Sequence, residues 1–205
     1  MPFHYALDLS QEEETPKVEV KKENGTTEIL DAQNVIIATG AKSRPMPGFP
    51  FSGNTVISSK EAMTLEKQPK SMVIIGAGAI GVEFGYIYNA FGTEVTIIEM
   101  MANLLPVEDD DVSDAITKSY RKAGINCLTD TKVTGTRDNG SSVTITVENS
   151  SGSKEITADC CLVAIGVTPV LPGGQQPKLT DRGWVEISDR YETSLPNVYA
   201  IGDIA

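Results

Sequence analysis

Residues 76–81 of the 205-residue chain read GAGAIG, a G-x-G-x-x-G spacing suited to gripping a phosphate with main-chain amides. Gly76 would permit a tight turn, Gly78 would let the backbone approach a pyrophosphate with no Cβ in the way, and Gly81 would let a helix pack closely on a strand. The phosphates would then rest on amides at the positive end of that helix, with Ala77, Ala79, Ile80 and Val82 completing the turn. The pattern alone also fits a structural glycine turn, so its surroundings decide its meaning. An apolar run, VII at 73–75, enters the loop, a helical pattern leaves it, and Glu99 stands 23 positions after Gly76, where the next apolar run ends. A carboxylate there can accept hydrogen bonds from ribose hydroxyls and repel a 2′-phosphate. The following residues, MMANLLP, offer no Arg to receive such a phosphate, so NAD is favoured over NADP. The ordinary alternative for Glu99 is a solvated acid at a strand end. Glu83, two residues past Gly81, is the odd member: an acid beside a loop that should receive something negative.

The elements needed to position these residues are legible around them. A strand over 72–75, a helix over 79–91 and a strand over 94–98 make a βαβ unit. Asp109, Asp110 and Asp111 open a helix running to 123, where acids suit the positive helix end. Gly124 caps it, and a third strand follows at 125–128. From 132 onward the pattern is all strand: 133–136, 143–148, 155–158 and 161–166, with turns at Asn139-Gly140 and at a Ser/Gly cluster. A similar meander stands earlier, with strands at 18–20 and 26–30 around Asn24-Gly25 and a more buried strand at 34–38. Residues 18–40 and 143–166 share this layout, which reads as an internal repeat. The earlier copy is preceded only by an acidic, unpatterned segment, 1–16. Residues 41–53 hold three prolines and two glycines and read as a crossing loop and domain boundary. A short helix is expected at 58–65.

Composition sets the outer limits. A net charge of −11 with no basic cluster argues against a nucleic-acid partner, whose affinity comes mostly from Lys and Arg neutralising phosphates. With 40% hydrophobic and 22% charged residues the chain reads as a soluble globular protein. No run approaches the ~20 apolar residues of a membrane span, and the N-terminus lacks the layout of a secretory signal, so a cytoplasmic location is expected. Cys127, Cys160 and Cys161 form no C-x-x-C, and His4 is the single histidine. A metal site or a Cys/His nucleophile is therefore not expected, and the cysteines read as small buried hydrophobes.

Taken in order, VIIATG, VIIGAGAIGVEFG followed by TEVTIIEM, LVAIG and the terminal TSLPNVYAIGD resemble the two-dinucleotide-domain flavoprotein disulfide reductases, most closely the branch that oxidises dihydrolipoamide. The resemblance spans residues 16–205. It implies an α/β fold: a Rossmann-like parallel sheet with a three-stranded β-meander, flanked by partial FAD-domain segments. The expected divisions are 1–45 as a remnant of the FAD domain, 46–170 as the NAD-binding domain and 171–205 as the return into the FAD domain. It implies NAD contacts at Gly76 to Glu83, at Glu99, at Val133 beside the adenine and at Gly166 near the nicotinamide. Thr39, Gly40, Ala41 and Asp203 would face FAD in a parent enzyme, where Glu83 lies near nicotinamide and flavin and pairs with a Lys. The family's first FAD glycine motif, its C-x-x-x-x-C redox pair and its C-terminal dimerisation domain are not found in this sequence. Val167 stands where many relatives place an Arg. The resemblance thus implies an NAD-binding portion that is not catalytic alone and is monomeric, whereas the parent is a homodimer serving the lipoyl domain of a 2-oxo acid dehydrogenase complex. A mercuric or glutathione reductase-like parent, or a non-catalytic NAD-binding module, are the alternatives.

Overall fold

The computed structural model describes the backbone of residues 4–8 and all of residues 15–205. The chain first forms strands β1 (His4–Asp8), β2 (Lys17–Lys21), β3 (Thr27–Asp31), β4 (Val35–Ile37) and β5 (Ala41–Ser43). It continues through β6 (Val56–Ile57), α1 (Ser59–Ala62), β7 (Ser71–Ile75), α2 (Ala79–Ala90), β8 (Glu94–Ile98), α3 (Asp110–Lys122) and β9 (Asn126–Leu128). A meander follows, β10 (Lys132–Asp138), β11 (Val143–Asn149) and β12 (Gly152–Ala158), and then β13 (Cys160–Val163). Strands β14 (Val167–Pro169), β15 (Gly173–Gly174) and β16 (Val198–Ala200) complete it. Contacts divide the chain into two compact units, residues 43–166 and residues 1–42 with 167–205.

Unit 43–166 is built on a five-stranded sheet in the order β6-β13-β7-β8-β9, parallel at every pairing. Its central strands are near-continuous apolar runs because both faces are covered. Met72, Ile74, Ile97, Cys160 and Leu162 point into a core shared with Val82 and Tyr88 of α2 and Tyr120 of α3. Their neighbours Val73, Ile75, Ile98, Cys161 and Val163 pack on the other face against Val143, Ile145 and Val147 of the meander. Period-two alternation therefore sorts one strand between two layers, helices on one side and an antiparallel meander on the other. The expected α/β class, parallel sheet and meander are all present.

The second unit holds a four-stranded sheet, β15-β1-β2-β3, and the parallel pair β4-β16, with Ile37, Val185, Val198, Ala200 and Ile204 as its core. Several expectations need correction here. Residues 4–8, read as part of an unpatterned acidic segment, form β1 antiparallel to β2; residues 9–14 and the side chain of His4 lie outside the described residues. With β1 in place both halves of the repeat show a three-stranded antiparallel meander, β1-β2-β3 and β10-β11-β12, followed by a strand in a parallel pairing. β4 is less buried than its composition suggests, since Ile36 is 62% exposed while Ile37 is buried. The crossing loop contains β5 and buries Phe49. The helix expected over 58–65 is a single turn, α1, after which a bend and Pro69 follow.

Candidate functional site

Parallel register gathers the candidate residues at one edge. Ile75 of β7 lies beside Ile98 of β8 and Val163 of β13, so Gly76, Glu99 and the segment 164–166 all emerge at the carboxyl ends of three adjacent strands. The chain runs from β7 through α2 to β8 on one side, whereas β13 returns on the other side of β7. Such a reversal at the carboxyl edge is where open α/β sheets hold ligands.

Each glycine of the loop has its own reason to be glycine. Gly76 has φ +101°, and a Cβ on it would stand 2.5 Å from the Ala164 carbonyl oxygen. Gly81 would place a Cβ 1.9 Å from the Gly76 carbonyl oxygen, so the start of α2 can lie against the turn only without a side chain there. Gly78 differs: it is the N-cap of α2 in an extended conformation, and a Cβ on it would meet no atom within 4 Å. The space over Gly78 is open, as an approaching ligand requires. A fourth position escaped the sequence reading. Gly85, one turn along α2, would put a Cβ 2.8 Å from Ile97 Cδ1, and it sets how closely the helix approaches β8; its signal was its place one turn after Gly81.

The first helical hydrogen bond runs from Val82 N–H to Gly78 C=O (3.0 Å). No described residue accepts the N–H groups of Ala79 and Ile80, which leaves them as donors for an anion at the positive helix end. Val82 is buried in the core and its C=O receives the Tyr120 hydroxyl (2.7 Å). Ala77 is fully buried, and its N–H is given to Oε2 of Glu99 (2.7 Å). Oε1 of Glu99 accepts from Met101 N–H (2.9 Å). The Glu99 carboxylate, half-buried, is thus fixed by two amides and keeps lone pairs for further donors such as ribose hydroxyls. These groups fit a dinucleotide pyrophosphate and its adjoining ribose.

Glu83 is exposed on the outer face of α2, in a groove it shares with Met63, Phe84, Ile87 and Phe91. It is the fifth residue of the helix, past the first turn, so the positive helix end gives its charge little support, that effect falling away within one turn. Val133 is partly buried beside a bulge in β10 and packs on the meander-side core. Gly166, φ +103°, is exposed and its C=O accepts from Arg44 N–H (3.0 Å).

The residues expected to face FAD lie in the other unit. The Thr39 hydroxyl donates to the Val170 C=O, Gly40 C=O accepts from Val170 N–H (2.9 Å), and Asp203 is exposed. Among the described residues this unit contains no helix, so no helix-end amides stand there to receive a second pyrophosphate, and these four residues do not by themselves fit a flavin. Cys160 and Cys161 are buried on opposite faces of β13. Burial pushes the Cys160 thiol up to about 12 and raises that of Cys161 further, so neither offers a thiolate at neutral pH.

A family model described as pyridine nucleotide-disulphide oxidoreductase matches residues 6–205. A dihydrolipoyl dehydrogenase of Mycobacterium tuberculosis is 42% identical over 185 residues, 88% of this chain and 40% of the relative. The mitochondrial dihydrolipoyl dehydrogenase of Caenorhabditis elegans is 37% identical over 194 residues, 91% of this chain and 39% of the relative. The chain thus spans about two fifths of the length of the curated relatives it matches. Among solved structures, LpdA from Mycobacterium tuberculosis superposes with a TM-score of 0.88 at 22% identity, covering 100% of this chain and 45% of that one, which is a likeness of fold. The HOCl-induced flavoprotein disulfide reductase RclA from Escherichia coli gives a TM-score of 0.78 at 26% identity over 92% of this chain and 42% of that one.

Proposed function

The chain belongs to the pyridine nucleotide-disulphide oxidoreductase family, and from that premise we propose that residues 43–166 bind NAD(H) as part of a dihydrolipoamide dehydrogenase-like oxidoreductase. The observation that carries this reading is the pairing of a glycine turn open over Gly78 with the fixed carboxylate of Glu99 on the neighbouring strand end. The amides of Ala79 and Ile80 hold the pyrophosphate, and Glu99 accepts the adenosine ribose hydroxyls. Val133 lies toward the adenine, and Glu83 and Gly166 toward the nicotinamide. A 2′-phosphate brought to Glu99 meets a negative charge, so NADP(H) is disfavoured.

When bound, the nicotinamide supplies hydride-accepting chemistry, and the residues of this chain orient it. In a whole enzyme of this kind FAD would supply the electron transfer between dihydrolipoamide and NAD, and Thr39, Gly40, Ala41 and Asp203 would be only part of the flavin side. The partners we propose for the parent of this chain are a lipoyl domain of a 2-oxo acid dehydrogenase complex and a second copy of itself, and the location we propose for it is the cytoplasm. The 42% identity to dihydrolipoyl dehydrogenases favours this branch over other disulfide reductases. Fluorescence titration of the chain with NADH and NADPH tests the reading: saturable NADH binding with weaker NADPH binding supports it, and equal binding of the two removes the role of Glu99.

A further inference from the structure

The loop between β8 and α3 reaches the glycine turn at two points, and both lie on Ala77. Glu99 at the start of the loop takes the Ala77 N–H (2.7 Å), and Leu105 further on gives its N–H to the Ala77 C=O (2.8 Å). A trans peptide is planar, with its N–H opposed to its C=O. Holding the Ala77 carbonyl therefore also sets the direction of the Gly78 N–H, an amide that no described residue accepts, on a residue whose Cβ position is open. Leu105 makes this contact from φ +50°, a left-handed conformation that non-glycine residues adopt rarely. The surroundings hold it there. Its C=O receives Glu108 N–H (3.0 Å) and the hydroxyl of Ser113 (3.3 Å), itself buried in α3, and the adjacent Leu104 is fully buried in the core. Unusual backbone of this kind persists where neighbours over-determine it, and it collects at ligand sites.

We propose that Leu105 is a positioning residue for the dinucleotide: its left-handed backbone, rather than its side chain, clamps Ala77 and aims the Gly78 amide before ligand arrives. The proposal rests on the NAD(H) reading of the glycine turn. A loop already ordered has less freedom to lose on binding, which shows as tighter affinity. Two substitutions separate backbone from packing. Leu105→Val keeps an apolar side chain but is β-branched and opposes positive φ, whereas Leu105→Asn tolerates positive φ but gives up the packing of Leu105 against the core.

The test measures NADH affinity by fluorescence for the whole chain and both variants, alongside ligand-free amide exchange by NMR. Slow exchange is expected at Ala77 and Leu105 in the unsubstituted protein. Leu105→Val should speed exchange at Ala77 and weaken NADH binding about fivefold, while Leu105→Asn stays within about twofold. The reverse order, Asn weaker than Val, would assign Leu105 a packing role and overturn the proposal. So would exchange at Ala77 and Leu105 in the unsubstituted protein as fast as at an exposed loop amide, which also decides the matter if Leu105→Val fails to fold. Protected amides in a chain that binds no NADH would instead overturn the reading of the site, leaving the clamp as a structural feature alone.

Discussion

The two glycines Gly78 and Gly81 are three residues apart and should respond to substitution in opposite ways. Gly78→Val places its side chain in open space, so thermal stability should change little while NADH binding is lost, because the branched Cβ occupies the approach to the helix-end amides. Gly81→Ala forces a Cβ onto the Gly76 carbonyl oxygen at 1.9 Å, and thermal unfolding should fall steeply whether or not ligand is present. Circular-dichroism melting with NADH titration checks both. Glu99→Ala carries two costs. Loss of the ribose contacts should weaken binding by about 1.5–3 kcal/mol, the range for hydrogen bonds to a charged group. Ala77 N–H, buried and stripped of its acceptor, should lower stability by about 1–3 kcal/mol as well. Burial also governs the chemistry of the cysteines. Cys160 titrates only near 12 because of burial, whereas an unfolded thiol ionises at its ordinary value of 9.0. Its contribution to stability is fully present below pH 9.0 and is lost as pH rises from there toward 12. A thiol reagent at neutral pH should reach Cys127, which is partly exposed, and leave Cys160 and Cys161 unmodified until the chain is denatured.

Helix α1 is a single turn held by its cap. The Ser58 hydroxyl accepts from Lys60 N–H (3.2 Å), and Glu61 Oε2 accepts from Ser58 N–H (2.9 Å) and from the Ser58 hydroxyl. Ser58→Ala should cost about 0.5–2 kcal/mol by chemical denaturation. The same bonds, the Ser58 hydroxyl foremost, hold the Glu61 carboxyl below its ordinary value of 4.5. A depressed folded value means the stabilisation is complete above pH 4.5 and fades as pH falls through the lower folded value, and Ser58→Ala should flatten stability over that acid range. At this scale the unit 43–166 was readable because its signals agree. Apolar runs at 73–75 and 94–98, the glycine turn and Gly124 point to the same βαβ order. The other unit was less readable for physical reasons. β1 takes its order partly from pairing with β15, far along the chain, a contact with no local signature. Ile36 lies on a strand with an apolar sequence but an exposed face, so hydrophobicity overstated its burial. Around the candidate site, spacing singles out Gly76, Gly78, Gly81 and Glu99 as candidates. Leu105 stayed hidden because nothing in a leucine's identity announces a left-handed backbone or a bond to Ala77.

Taken whole, the chain joins a unit with one glycine turn at the start of a helix to a second unit with no helix among its described residues. The purified protein should accordingly be colourless and should not oxidise NADH with lipoamide, with or without added FAD. An electron path to a disulfide needs a low-pKa thiolate and a partner cysteine, and Cys160 and Cys161 face opposite sides of β13. A visible spectrum and a lipoamide assay check this; flavin near one equivalent per chain or turnover above background would contradict it. The net charge of −11 favours a monomer through repulsion, while Ile29, Leu30 and Ile36, at 63%, 45% and 62% exposed, pull toward association. Light scattering should give a monomer at low concentration, with association that grows on adding salt as repulsion is screened. The most direct test of the account is calorimetric titration of the unsubstituted chain and of Gly78→Val with NADH and NADPH. The expected result is saturable NADH binding, weaker NADPH binding, and loss of NADH binding in a Gly78→Val protein that melts at an unchanged temperature. NADPH binding as tight as NADH, or NADH affinity untouched by a valine at 78, would contradict it.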